Sequence, residues 1–335
     1  MEHLPAMRTL LILVAVLAAT ATPTESRHTH DHEGSDNDLE YWDNNPDTKP
    51  DTDTEEYARV CEEGDADCDE CQHWMEGYER NEHDWGYGDT NGPKFWPATH
   101  PECGCSKQSP VALDTYQALL NTCWSPFEFT GYDFWPSCMK VINTGHAVEL
   151  RAKIDASVSG GNLPCNYTFS RFHFHFGAED DRGSEHTVNG DRFPAEVHLV
   201  HYLESTGSFD KALTHDNGVA VLSMMLELSS EDNPLLEPIV DALTKITKPG
   251  ESVSITPFPI SYILPNNRDS FFRYKGSLTT PECKEVVVWT VFRETIPIST
   301  AQLEEFRKLK GADGEPLEDN YRPTQELNGR QVYMS

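Results

Sequence analysis

The run Arg171-Phe-His-Phe-His-Phe176 alternates side-chain character with a period of two, which is the period of a β-strand. On a strand, Phe172, Phe174 and Phe176 share one face and need a core, while His173 and His175 share the other. A second run, Ala195-Glu-Val-His-Leu-Val-His-Tyr202, puts Glu196, His198 and Val200 on one face in the same way. Alone, alternate histidines suit a packed or surface strand as well as a metal pair. If the two strands are neighbours, His198 joins His173 and His175, and three neutral imidazoles with an open fourth position describe a catalytic zinc site.

Further strand-like runs span 139–142, 148–152, 168–176, 195–202, 219–228 and 286–292, separated by turns. Helical patterns are few. The clearest cover 235–246 and 300–309, the second with Ser299 or Thr300 as its cap. No repeat period is visible. The pattern predicts a mainly β (α+β) protein, a large sheet with short peripheral helices, in one domain of about 250 residues.

The remaining N-terminal part has a different texture. A basic residue, Arg8, precedes an apolar run over 10–19 and small residues over 18–22, which predicts a cleaved signal peptide over 1–21. The run is shorter than the roughly 20 residues of a membrane span, and no hydrophobic tail closes the chain, so no stable membrane anchor is expected. Residues 22–83 read as an acidic, partly disordered extension. From 25 to 84 there are 22 Asp/Glu and 4 Lys/Arg, a local net of 4 − 22 = −18 within a chain of net charge −30. No Lys/Arg run offers a nucleic-acid surface, so no nucleic-acid partner is expected. His28, His30 and His32 lie among these acids. A solvated tail accounts for them, and weak capture of Ca²⁺ or a transition metal is the sharper alternative.

The chain has nine cysteines, as export into an oxidising compartment allows. Nine is odd, so one is expected to stay free or to pair with another chain. For Cys61, Cys68 and Cys71, disulfide staples are favoured over a redox pair or a zinc knot with His73. Asn166-Tyr-Thr168 is a glycosylation sequon.

Over roughly 84–330 the chain resembles an α-carbonic anhydrase of the secreted kind. The matching stretches occur in family order: Asp84-Trp-Gly-Tyr87, Gln108-Ser-Pro-Val111, Asn143-Thr-Gly-His-Ala147, Phe172-His-Phe-His175, Gly183-Ser-Glu-His-Thr-Val-Asn-Gly190, Ala195-Glu-Val-His-Leu-Val-His201, Gly276-Ser-Leu-Thr-Thr-Pro281 and Asn320-Tyr-Arg-Pro323. The resemblance implies a twisted, mostly antiparallel central sheet and a catalytic domain over 84–335. It implies a Zn²⁺ cofactor on His173, His175 and His198, and reversible hydration of CO₂ to bicarbonate by zinc-bound hydroxide outside the cell. Zinc lowers the pKa of its water to about 7, a value established for carbonic anhydrases themselves.

The resemblance also assigns roles. Thr279 orients the nucleophile and Glu185 fixes Thr279. Thr280 borders the substrate. Val200, Val219, Val221, Leu278, Val287 and Trp289 make an apolar wall for CO₂. His146 carries the proton out, with Tyr87 in the same pocket. Glu196 accepts from the ring of His198, and the Asn320 carbonyl from that of His175. Cys103 and Cys283 match the disulfide of secreted members. Three positions depart from the family pattern. Arg171 stands where Gln usually accepts from the first ligand, and a guanidinium has no acceptor. Glu149 replaces a polar amide, where it is expected to raise the pKa of His146. Glu282 stands where Pro is common. The alternative to an active enzyme is a weakly active or non-catalytic matrix protein that binds Ca²⁺ through its acidic extension. The two combine if the enzyme supplies carbonate for mineralisation.

Overall fold

The computed structural model describes residues 85–335. The signal peptide, the acidic extension with His28, His30 and His32, Cys61, Cys68 and Cys71, and Asp84 lie outside the described residues.

Seven strands carry the architecture: β1 Met139–Asn143, β2 Val148–Ala152, β3 Tyr167–Phe176, β4 Ala195–Leu203, β5 Val219–Ser229, β6 Phe271–Gly276 and β7 Val287–Phe292. They are neighbours in the order β1-β2-β3-β4-β5-β7-β6 within a sheet of thirteen strands among the described residues. The pairings from β1 to β5 are antiparallel, as is β7 with β6, whereas β5 and β7 run parallel. The mainly β expectation holds, with that parallel join as an added feature. Sequence patterning had placed β1 to β5 and β7 within a residue or two. It missed β6, whose Phe-Phe-Arg-Tyr-Lys-Gly lacks alternation because both faces are covered. Phe271, Phe272, Arg273, Tyr274 and Gly276 are all buried.

The predicted alternation on β3 is met on its apolar side. Phe172, Phe174 and Phe176 are fully buried in one large apolar cluster with Val141, Leu199 and Leu222. Burying a phenylalanine contributes about 1.5–3 kcal/mol, so three in one strand fix which face turns inward. Helix α1 (Glu237–Leu243) and helix α2 (Thr300–Arg307) bury residues on this side, including Ile239, Leu243, Leu303 and Phe306. Ser299 is the cap of α2. Its side chain accepts from the Gln302 N–H, and the Gln302 side chain accepts from the Ser299 N–H.

The register between β3 and β4 changes once. Phe169 faces His201, but Arg171 faces Val200 and His173 faces His198, so one residue of β3 is bulged out. A one-residue slip exchanges the two faces of a strand. Without the bulge His173 would lie opposite Val197.

Cys103 and Cys283 form a disulfide across 180 residues. It ties the 278–283 segment to the segment before Gln108, a closure that contributes about 2–5 kcal/mol. The buried Arg322 guanidinium reinforces the clamp, donating to the carbonyls of Cys103 and Ser109 and to Gln108 Oε1 at 2.8–2.9 Å. Cys138 is also disulfide-bonded. Cys105, Cys123 and Cys165 are free and exposed, so more than one thiol escapes pairing among the described residues.

Candidate metal centre

β3 and β4 supply the three rings. His173, His175 and His198 lie with ring centroids 4.7–5.2 Å apart, and one ligand nitrogen from each falls within 4.8 Å of the others. His175 and His198 are buried, and His173 is half-buried.

The nitrogens are already sorted. His175 Nδ1 donates to the Asn320 carbonyl at 2.7 Å, which leaves Nε2 as the lone-pair atom facing the site. That Nε2 is buried and has no hydrogen-bond partner. His198 Nε2 donates to Glu196 Oε1 at 2.7 Å, which leaves Nδ1 facing the site. Burial holds both rings below the usual imidazole pKa, His175 at about 4, so they stand neutral at physiological pH. Neutral rings with inward lone pairs are the donor set that zinc takes, and an orphaned buried nitrogen is what a metal would satisfy. The residues present therefore fit the ion.

Glu196 anchors the deep side. Its carboxylate accepts from His198 Nε2, from His186 Nδ1 at 2.7 Å and from Ser223 Oγ at 2.5 Å. It also accepts the backbone N–H groups of Glu185 and His186, each at 2.8 Å. Burial alone would raise its pKa, but the His186 and His198 rings and their hydrogen bonds pull it well below the ordinary value. His186, Glu196 and His198 also lie close enough to hold a metal. The ring nitrogens facing Glu196 are at hydrogen-bond distance, however, so this trio is a hydrogen-bonded relay. It continues from His186 Nε2 to the Tyr274 hydroxyl at 2.7 Å and on to Ser109 Oγ at 3.0 Å. Sequence reasoning left out His186, Tyr274 and Ser223. His186 lies inside the Gly183–Gly190 motif beside Glu185, which was the one available signal.

Glu185 is buried next to the rings. One oxygen accepts the Arg322 N–H at 2.9 Å. The other stands 3.5 Å from His175 Nε2 and 3.9 Å from His198 Nδ1 without a hydrogen bond. Burial raises its pKa to about 7, while the neighbouring His198 ring and a hydrogen bond from Thr279 oppose the rise. The Glu185–Thr279 pair is thus brought together beside the histidines.

Two cavities meet at His173, and Arg171, His173 and Thr280 line both. The smaller, about 280 Å³, carries Val200, Val221, Leu278, Trp289 and Thr279 in its wall. Val219 and Val287 do not reach it. They face each other across the parallel β5–β7 ladder and are buried, so they are core and not wall. The larger, about 530 Å³, contains His146, Tyr87, Trp85 and Glu149. His146 is stacked on Trp85, centroids 3.9 Å apart and planes within 12°.

The departures become concrete at this rim. Glu149 lies opposite His173 in the β2–β3 ladder. Its carboxylate is engaged by Arg171 Nε at 3.1 Å and by Arg151 at 2.6 Å. Two guanidiniums therefore share the carboxylate that was expected to act on His146. Asn166 is exposed at the start of β3.

The sequence profile described as eukaryotic-type carbonic anhydrase matches residues 91–335. The chain is 36% identical over 274 residues to carbonic anhydrase 4 of Rattus norvegicus, covering 79% of this chain and 85% of the relative. It is 37% identical over 249 residues to carbonic anhydrase 4 of Oryctolagus cuniculus, covering 73% and 80%.

Proposed function

This chain belongs to the eukaryotic-type carbonic anhydrase family and is a carbonic anhydrase, and on that premise we propose a zinc-dependent form that works outside the cell, with His173, His175 and His198 as its ligands. The observation that carries the ligand assignment is His175 Nε2, buried and unpartnered beside the inward Nδ1 of His198. Zinc, when bound, supplies a Lewis acid that makes hydroxide available from water near neutral pH, a property established for carbonic anhydrases themselves.

The chain's own residues do the rest. Thr279 donates its hydroxyl proton to Glu185, so its oxygen can only accept at the nucleophile's position. A cation held by the three rings would lower the pKa of the neighbouring Glu185 carboxylate, which stands 3.5 Å from His175 Nε2, and so keep it an acceptor. Val200, Val221, Leu278 and Trp289 give uncharged CO₂ an apolar seat, and Thr280 borders it. His146 in the larger cavity accepts the outgoing proton and passes it to buffer.

The extracellular setting is supported by the apolar run over 10–19, the Cys103–Cys283 disulfide and the exposed Asn166 in its sequon. No helix among the described residues is long and apolar enough to cross a membrane. The proposed division is a signal peptide over 1–21, an acidic extension over 22–83 and a catalytic domain over 84–335. The charge of the extension favours weak Ca²⁺ binding, and with it a role in supplying carbonate where mineral forms.

The deciding experiment measures zinc content and stopped-flow CO₂ hydration of the full-length chain, before and after chelation and for His175→Ala. Zinc-dependent turnover that disappears in His175→Ala is expected. Turnover indifferent to zinc, or none, rejects the reading. Calcium titration of the same chain tests the second role, which fails if no binding is seen at millimolar Ca²⁺.

A further inference from the structure

Of the nine cysteines, Cys61, Cys68 and Cys71 precede the described residues. Among the described residues, Cys103 is bonded to Cys283, and Cys105, Cys123 and Cys165 are free. Cys138 is disulfide-bonded as well, and no described cysteine is left to be its partner. Its position is fixed by the sheet. Cys138 is buried immediately before β1, and its carbonyl accepts the Lys153 N–H at 2.8 Å. The neighbouring Ser137 N–H donates to the Lys153 carbonyl at 3.1 Å.

This anchor lies close to the place where the extension joins the domain. Trp85, the first described residue, lines the larger cavity and is stacked there on His146. Lys140 lines the same cavity, and Cys138, two residues before it, is at most about 7 Å away along the backbone. The chain from Cys71 to Trp85 is 85 − 71 = 14 residues long, and it reaches up to about 46–50 Å when extended. That is far beyond the dimensions of a cavity of about 530 Å³, and the chains from Cys68 and Cys61 are longer still.

We propose that Cys138 is bonded to Cys61, Cys68 or Cys71, so that the acidic extension is fastened to the domain at two points beside one cavity, by the backbone at Trp85 and by sulfur at Cys138. Forming the bond takes two protons and two electrons from the two thiols. A disulfide oxidant of the export compartment takes them up and leaves as two thiols. The segment between the two points carries Glu76, Glu79, Glu82 and Asp84 against Arg80, so the tether keeps carboxylates beside the domain. A cut in the chain ahead of Trp85 then leaves the acidic part attached. The tether does not depend on the catalytic reading, since an inactive protein would hold it equally.

The test uses the full-length chain, purified without reductant and with its free thiols alkylated. It is digested unreduced with trypsin and a glutamate-specific protease, and the linked peptides are sequenced by mass spectrometry. Glu128 separates Cys123 from Cys138, and Glu62 and Glu70 separate the three cysteines of the extension, so each partner is assignable. The expected product is the Cys138 peptide linked to one that carries Cys61, Cys68 or Cys71, from protein that runs as a monomer on an unreduced gel. In Cys138→Ser, one further thiol should become alkylated, at Cys61, Cys68 or Cys71. With a specific protease site placed after Arg80, the cut extension should stay on the domain in a denaturing gel and leave it on reduction or in Cys138→Ser. The proposal is overturned if Cys138 is alkylated, is linked to another cysteine of the domain, or bridges two chains. It also fails if the cut extension departs without reductant.

Discussion

His175 and His198 occupy the deep half of the histidine site, almost without exposure, and each points one ring nitrogen at a fixed acceptor, the Asn320 carbonyl or Glu196. His173 occupies the rim. It is half-buried where two cavities meet, with Arg171 two residues before it and Glu149 opposite it. Deep in the protein, a missing partner leaves a buried polar group unsatisfied, and both of these rings keep an acceptor. At the rim, two cavities give the side chains access to water, so the same loss is milder there. The difference separates what the site needs to exist from what tunes it.

The harshest way to break the comparison is Glu196→Ala. It strands the His186 and His198 rings, the Ser223 hydroxyl and two backbone N–H groups. A loss of about 3–5 kcal/mol in denaturant unfolding is expected, along with about 10- to 100-fold weaker zinc in a chelator competition. The same deletion at Glu149, itself buried but with its two guanidiniums lining a cavity, should cost less, about 1–3 kcal/mol. Equal losses would show that the two halves do not differ.

Acid tests the buried core face of β4 without mutation. His201 lies on the other face of β4, bonded to the Tyr132 hydroxyl, and burial lowers its pKa to about 4. The unfolded chain takes up its proton below about 6.5, and the folded chain does not until about 4. The unfolded state therefore binds more protons in that window, and stability falls as pH drops from about 6.5 to about 4, by about 3 kcal/mol from this residue alone. Unfolding free energies that stay flat across this range, or a folded His201→Gln variant whose slope is no shallower than that of the unaltered chain, would contradict it.

Thr279→Ala removes the hydroxyl proposed to link Glu185 to the nucleophile. The expected drop in kcat/KM for CO₂ hydration is about 10²-fold, with zinc content unchanged. Loss of zinc in step with rate would mean that Thr279 shapes the site and does not orient the reaction. The mildest effect belongs to the rim. His146→Ala should lower kcat about 10-fold in dilute buffer, with imidazole restoring it, because a soluble base can replace a group in an open cavity. A rate that imidazole leaves untouched removes His146 from the proton path.

The strands were legible wherever one face is polar and the other apolar, as in β3, because alternation then encodes the two environments. β6 was not, since a strand covered on both sides leaves no period to read. The apolar wall shows the same limit. Val200 and Val221 reach the cavity, while Val219 and Val287 stay in the core. All four are valines on strands, and nothing local distinguishes them. His186 went unassigned because its importance lies in the distance to Glu196, a contact across the fold.

The sequence by itself determined that His173 and His175 share a face opposed to three buried phenylalanines, since a strand's two-residue period requires it. It also determined that Arg171 has no acceptor to offer the ring of His173. Only the tertiary structure decided that His198 meets them. The single bulge between Phe169 and Arg171 shifts the β3–β4 register by one residue and brings His198, in place of Val197, opposite His173. Register is a property of two strands and the packing on both their faces, so neither strand's sequence could state it alone.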